Sequence, residues 1–107
     1  MNPVLKFTRC RSIPLNLRRT VAKAIIPRTH AAFELDVDGV TYRGRMDNYV
    51  EWLAFVTGSF FEFSYINLLK RLLSGGTALD VGANVGNHSL AFSSFFDLVH
   101  SVEPFPL

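Results

Sequence analysis

Apolar and polar residues alternate through "FELDVDGVTYRGRM", residues 33–46, around an Asp38-Gly39 pair. A period of two predicts strands, and Asp-Gly between two such runs predicts a tight hairpin, because its turn needs positive φ at both central residues. Strands are therefore expected over Phe33–Val37 and Val40–Arg45. The period then changes. Asp47 or Asn48 can cap a helix over Tyr49–Thr57, with Glu51 in the first turn, where the helix dipole favours an acid, and Gly58 at its end. A second helix is predicted from Phe60 to Leu73. There Phe63, Ile66, Leu69 and Leu73 recur at helical spacing, Lys70 and Arg71 suit the C-terminal end, and Gly75-Gly76 stop the element.

Beyond these glycines "TALDV" (residues 77–81) is apolar on both faces, as a buried parallel strand would be. "GNHSLAFSSFF" can form a helix, and "LVHSVE" predicts the next strand. Strand, helix and strand within about 30 residues predict a βαβ unit. The fold class is α/β, with a hairpin and helices ahead of the first βαβ unit.

Residues 1–32 show weak periodicity and three prolines (Pro3, Pro14, Pro27), which predicts an arm or leader with a short helix near Leu15–Ile26. The domain itself is expected over residues 33–107. Charge separates the same way. Residues 1–33 carry seven of the eleven Lys and Arg and no acid, whereas the rest holds four basic residues against all nine acids. The overall charge of +2 belongs to the arm, and an acidic folded part argues against a nucleic-acid-binding core. An acid-free, Arg-bearing leader fits organelle targeting or contact with an anionic surface, and equally a frayed terminus without a partner; without targeting, the cytoplasm is the expected location. A 49% hydrophobic share is ample for a core. Cys10 stands alone, so neither an intramolecular disulfide nor a multi-cysteine metal site can form, and no metal is expected. The most apolar window, Trp52 to Phe61, is about half the length a membrane span requires.

Candidate chemistry gathers in "ALDVGANVGNHSL", residues 78–90. A strand that runs into a glycine-containing turn and a helix start can present backbone N–H groups to a ligand. Gly82 allows the sharp turn, and Gly86 is expected to let the helix approach the strand. A dinucleotide loop would need glycines where Asn84 and Asn87 stand, and a phosphate-binding P-loop would need a following Gly-Lys-Ser/Thr. Asp80, at the strand's end, repels pyrophosphate and suits an ammonium or sulfonium group. S-adenosylmethionine carries both. Glu103 follows Gly82 by 21 residues, at the tip of the next strand, where an acid can accept hydrogen bonds from two ribose hydroxyls. Pro104 and Phe105 can border the adenine.

At these residues the chain resembles the class I S-adenosylmethionine-dependent methyltransferases, and among them the FkbM family. "LDVGANVGNHSL" matches that family's first motif and "SVEPFP" its acid-Pro after the second strand; "GRMDNYVEW" and "GSFFE" are similar to its lead-in. The resemblance covers roughly residues 34–107 and implies the N-terminal half of a Rossmann-like methyltransferase fold. It implies S-adenosylmethionine as cofactor, the methionine part cradled by Gly82, Ala83, Asn84, Gly86 and Asn87, and the ribose held by Glu103 beside Pro104. It also implies O-methyl transfer to a small-molecule or carbohydrate hydroxyl. The later strands of such a domain are not in the sequence, so a truncated, non-catalytic binding or interaction module is the competing expectation. So is self-association through an open sheet edge.

Other residues keep two readings. Asp80 and Glu103 are cofactor ligands or simple strand-end acids; Asn84 and Asn87 are ligand contacts or loop and cap residues. Glu62 either faces the cofactor mouth or is a solvated first-turn acid. His88 is expected to be structural, His30 and His100 to be surface or packing residues, and no residue qualifies as a general base.

Overall fold

A computed structural model describes residues 1–105. The chain forms two compact units of mixed α/β character, Met1–Ser59 and a second that begins at Phe60.

The first unit holds α1 (Pro3–Arg9), α2 (Leu15–Ile25), the strands β1 (Ala32–Val37) and β2 (Val40–Arg45), and α3 (Tyr49–Thr57). The strands pair antiparallel with Val37 opposite Val40, and Asp38 and Gly39 make the turn at φ of 51° and 84°. One hairpin face carries Phe33, Leu35, Val37 and Tyr42; the other is tied by an Arg43 Nε to Glu34 hydrogen bond of 2.7 Å. Helix α3 starts where Asn48 Oδ1 accepts from Glu51 N and ends at Gly58 in the left-handed region. The choice between Asp47 and Asn48 is settled for Asn48. Trp52, Leu53, Ala54 and Val56 are buried, as are Val37 and Tyr42.

Residues 1–32, expected as an arm, belong to this unit. Helix α1 was not expected, although Asn2 caps it by accepting from Val4 N and Pro3 occupies the first turn, where its missing N–H costs nothing. Arginine explains the packing of so polar a segment. Arg9 donates twice to the Phe55 carbonyl, at 3.0 and 2.8 Å, near the C-terminal end of α3 where cations are favoured. Arg18 is buried and donates to Ile13 O and Thr8 O, and Arg11 reaches Asp38 at 3.0 Å. Side chains that read as a charged leader thus serve internal carbonyls and a carboxylate.

The second unit holds α4 (Phe63–Leu72), β3 (Thr77–Val81), α5 (Asn87–Phe92) and β4 (Leu98–Val102). Strands β3 and β4 are parallel, with Asp80 beside Ser101 and Val81 beside Val102, joined through α5 as a βαβ unit. Both helices are shorter than expected. Phe61 gives its N–H and C=O to the Asn87 side chain, and Glu62 takes φ 58°, so α4 begins at Phe63. Ser93 and Ser94 turn their hydroxyls onto the carbonyls of Leu90 and Ala91, which ends α5 at Phe92.

The expectation that β3 is buried on both faces is not met. Helix α5 covers the face carrying Ala78, Asp80, Val99 and Ser101, but no described element covers the other. There Leu79 is 64% and Val81 72% exposed, beside Leu98 and Val102. Among the described residues no helix is long and apolar enough to cross a membrane.

Candidate functional site

The loop between β3 and α5 turns at Gly82, Asn84 and Gly86, with φ of 74°, 54° and 87°. A Cβ built at Gly82 or Gly86 would meet no atom within 4 Å. Gly86 is therefore required by its backbone conformation and not, as expected, by close approach of helix and strand. The left-handed conformation at Asn84 suits Asn, which tolerates it better than most residues.

Four of the loop's amides are satisfied within the protein. Gly82 N and Ala83 N both donate to Val102 O, at 2.8 and 3.0 Å; Gly86 N donates to Ala83 O at 2.9 Å. Asn84 N donates to Glu103 Oε2 at 2.6 Å. A phosphate cradle works by presenting such N–H groups unpaired, so this loop is poorly equipped for phosphate. Ala83 is buried beneath it.

Glu103, directly after β4, uses both carboxylate oxygens: Oε1 accepts from Phe105 N at 3.2 Å. Each ionised oxygen has two lone-pair positions, so each retains capacity for one further donor. Two adjacent hydroxyls of a ribose fit that capacity. Pro104 and Phe105 are exposed beside it.

Asp80 stands near the end of β3, as expected, and one of its carboxylate oxygens is engaged within the protein. Its Oδ2 accepts from Ser89 Oγ at 2.6 Å, and Ser89 Oγ lies 2.5 Å from Ser101 Oγ. With the Ser89 proton directed at the carboxylate, Ser101 must be the donor in the second contact. Asp80 thus ties β3 to α5 and, through Ser89, to β4. An open cleft of about 400 Å³ adjoins this chain of hydroxyls, lined by Val85, Leu90, Val99, Ser89, Ser93 and Ser101.

Asn87 also turns away from the loop. It is buried, with Oδ1 accepting from Phe61 N at 2.9 Å and Nδ2 donating to Phe61 O at 3.0 Å. The neighbouring pair follows from that clamp: His88 Nε2 lies 3.3 Å from Glu62 Oε1, the side chains 30% and 50% exposed. Glu62 is thus neither in a first turn nor simply solvated. Elsewhere His30 is exposed, in line with its reading as a surface residue, and contacts Asp47 at 3.2 Å.

The structure brings Gly82, Ala83, Asn84 and Glu103 together at one end of the β3–β4 sheet, with Asp80 and Asn87 as braces behind it. The roles of Ser89, Ser101 and the Glu62–His88 pair were missed. For Ser89 the signal was present, since it stands on α5 one helical turn beyond Gly86. Glu62 itself was singled out as a residue that could face the cofactor mouth, but its pairing with His88 carried no signal, because the contact depends on an αL residue that sequence periodicity does not report. Among the described residues no group of three or more His, Cys, Asp or Glu could hold a metal ion. Comparison with family models, curated proteins and solved structures returns no match to the chain.

Proposed function

We propose that residues 34–107 are the cofactor-binding portion of an S-adenosylmethionine-dependent methyltransferase of the FkbM family, with a Rossmann-like class I fold. The reaction proposed is O-methyl transfer to a sugar or natural-product hydroxyl, carried out in the cytoplasm. The carrying observation is the joint geometry of loop and acid: a glycine turn whose amides are engaged internally, facing a Glu103 carboxylate with lone pairs to spare. That combination favours a nucleoside with a free diol and a cationic tail over one with a pyrophosphate.

When bound, the cofactor supplies an electrophilic methyl group on a sulfonium. The chain's own contribution is placement. Glu103 fixes the ribose through two hydroxyls while holding Asn84, so ribose position and loop shape are set by one side chain. Open space at Gly82 and Gly86 admits the chain of the methionine part. Asp80 holds the start of α5 against the sheet through Ser89. Positioning of this kind contributes to the rate, and the proton of the acceptor hydroxyl leaves to a base or to solvent water as its oxygen takes the methyl group.

Calorimetric titration tests the reading: S-adenosylmethionine is expected to bind, with affinity weakened at least about tenfold by Glu103→Ala, while NAD does not bind. NAD binding that Glu103→Ala abolishes would transfer the site to a nicotinamide enzyme.

A second reading has its own observation. The exposed Leu79, Val81, Leu98 and Val102 form an apolar sheet face, and the outer edges of β3 and β4 pair with no other described strand. Such surfaces favour association, and in this reading the chain is a non-catalytic module that pairs with a second copy. Sedimentation velocity distinguishes the two. A concentration-independent monomer removes the association, and a dimer dispersed by Val81→Lys supports it.

A further inference from the structure

The site holds three acids near one loop, and their bonding partners separate them. Glu103 is engaged by two backbone amides. Asp80 is engaged by Ser89, itself bonded to Ser101. Glu62 has only His88, at 3.3 Å from Oε1, and its carboxylate makes no other hydrogen bond or ion pair among the described residues. It is also half exposed. A cationic ligand group needs a carboxylate with an unused oxygen and an open approach; Asp80 keeps its Oδ1 unused but is only partly exposed, whereas Glu62 combines an unused oxygen with an exposed position.

Its position is fixed rather than incidental. The Asn87 side chain bonds both backbone groups of Phe61, so the residue before Glu62 is fastened to the residue before His88. Glu62 then takes its left-handed conformation, φ 58° and ψ 38°, and its Oε1 lies 3.3 Å from His88 Nε2. Oε2 has no partner among the described residues, and the half-exposed side chain stands against His88 in the first turn of α5, two residues beyond Gly86.

We infer that Glu62 is a ligand-binding residue that accepts the primary ammonium of an amino-acid-bearing nucleoside, with His88 as the positioning residue that orients its carboxylate. The assignment rests on the cofactor reading above. It moves the cation-binding role from Asp80 to Glu62 and gives the amino-acid end of the ligand an anchor separate from the ribose anchor at Glu103.

Three probes and one variant test it, in the whole chain. S-adenosylmethionine and S-adenosylhomocysteine both carry the ammonium, whereas 5′-methylthioadenosine has the nucleoside without it. Glu62→Gln is expected to weaken the first two by about tenfold or more, since a charge-assisted bond becomes a neutral one, and to leave 5′-methylthioadenosine within about twofold. His88→Gln, which retains a donor, is expected to weaken the two ammonium ligands less than Glu62→Gln does. A structural role for Glu62 would weaken all three probes alike, and that result overturns the assignment. Unchanged affinity for all three in Glu62→Gln overturns it as well, with the cofactor reading intact. Failure of the unaltered chain to bind any of the three overturns both.

Discussion

Glu103 Oε2 accepts the Asn84 amide at 2.6 Å, so the acid after β4 braces the turn after β3. The two residues lie 19 positions apart, and the bond fixes the one non-glycine residue of that loop in the left-handed region. Glu103→Ala should therefore do more than remove a ligand contact. It removes the protein acceptor of an exposed amide, which water can replace, and frees the loop, at a cost of about 1 kcal/mol. Hydrogen exchange at the Asn84 amide is expected to accelerate at least about tenfold in Glu103→Ala. Glu103→Gln, which keeps a carbonyl acceptor, should show a smaller change. Equal protection in all three proteins would mean that the bond does not hold the loop.

Asn87, expected as a ligand contact or as a loop or cap residue, braces both backbone groups of Phe61. Asn87→Ala would strip both backbone partners from Phe61, with an expected loss of about 1–3 kcal/mol in urea denaturation. Asn87→Asp is the sharper probe. It still accepts from Phe61 N but cannot donate to Phe61 O, and it brings a second carboxylate toward Glu62. It should be no more stable than Asn87→Ala, whereas near-native stability would show that the Nδ2 bond contributes nothing.

Gly44 sits opposite Phe33 in the hairpin, and a Cβ there would come within 2.8 Å of the Phe33 ring and 3.1 Å of Glu51 Cβ. The ring is held by its stacking on Tyr42 and its tilted contact with Phe55, with centroids 5.9 and 5.1 Å apart. Gly44→Ala should cost about 1–3 kcal/mol by overpacking. Phe33→Leu in the same chain should recover part of that loss, a coupling that a double-mutant cycle of denaturation midpoints measures. Simple additivity would place the cost in the strand backbone rather than against the ring.

Much of this was legible in the sequence because local rules and tertiary packing agree. Asp38-Gly39 could only be a tight turn between those strands, and Asn48, Glu51 and Gly58 mark the two ends of α3 at the right spacing. The parallel βαβ unit followed from "TALDV" and "LVHSV" flanking a glycine turn. What escaped reading depends on long-range partners. Pro-broken residues 1–32 have little periodicity of their own, and their order comes from Arg9, Arg11 and Arg18 meeting distant carbonyls and Asp38. The strand β3 has the composition of a buried element, but burial is a property of its neighbours. At the site, side-chain types near the loop were readable and their partners were not: Asp80 gives one oxygen to Ser89, Asn87 turns onto Phe61, and Glu62 pairs with His88.

Asp47 links the hairpin end to the start of α3 and makes acid stability testable. Arg45 donates to it through two nitrogens at 3.2 and 3.1 Å, and His30 lies at 3.2 Å. The Arg45 hydrogen bonds first, then His30, hold its carboxyl down at about 2 against an ordinary 3.8. Between those values the unfolded chain binds more proton than the folded one, so stability must fall as pH falls. The contribution is complete above about pH 4 and disappears as pH drops through about 2. Since these groups are substantially exposed, salt should shrink it. Melting temperatures from pH 6 to 2 are expected to decline less steeply below pH 4 in Asp47→Asn than in the parent, with the two curves converging at the acid end. In high salt the difference in slope should narrow. Parallel curves at low salt would show that the Arg45–Asp47–His30 cluster makes no net contribution, leaving the acid limb to the chain's other carboxylates.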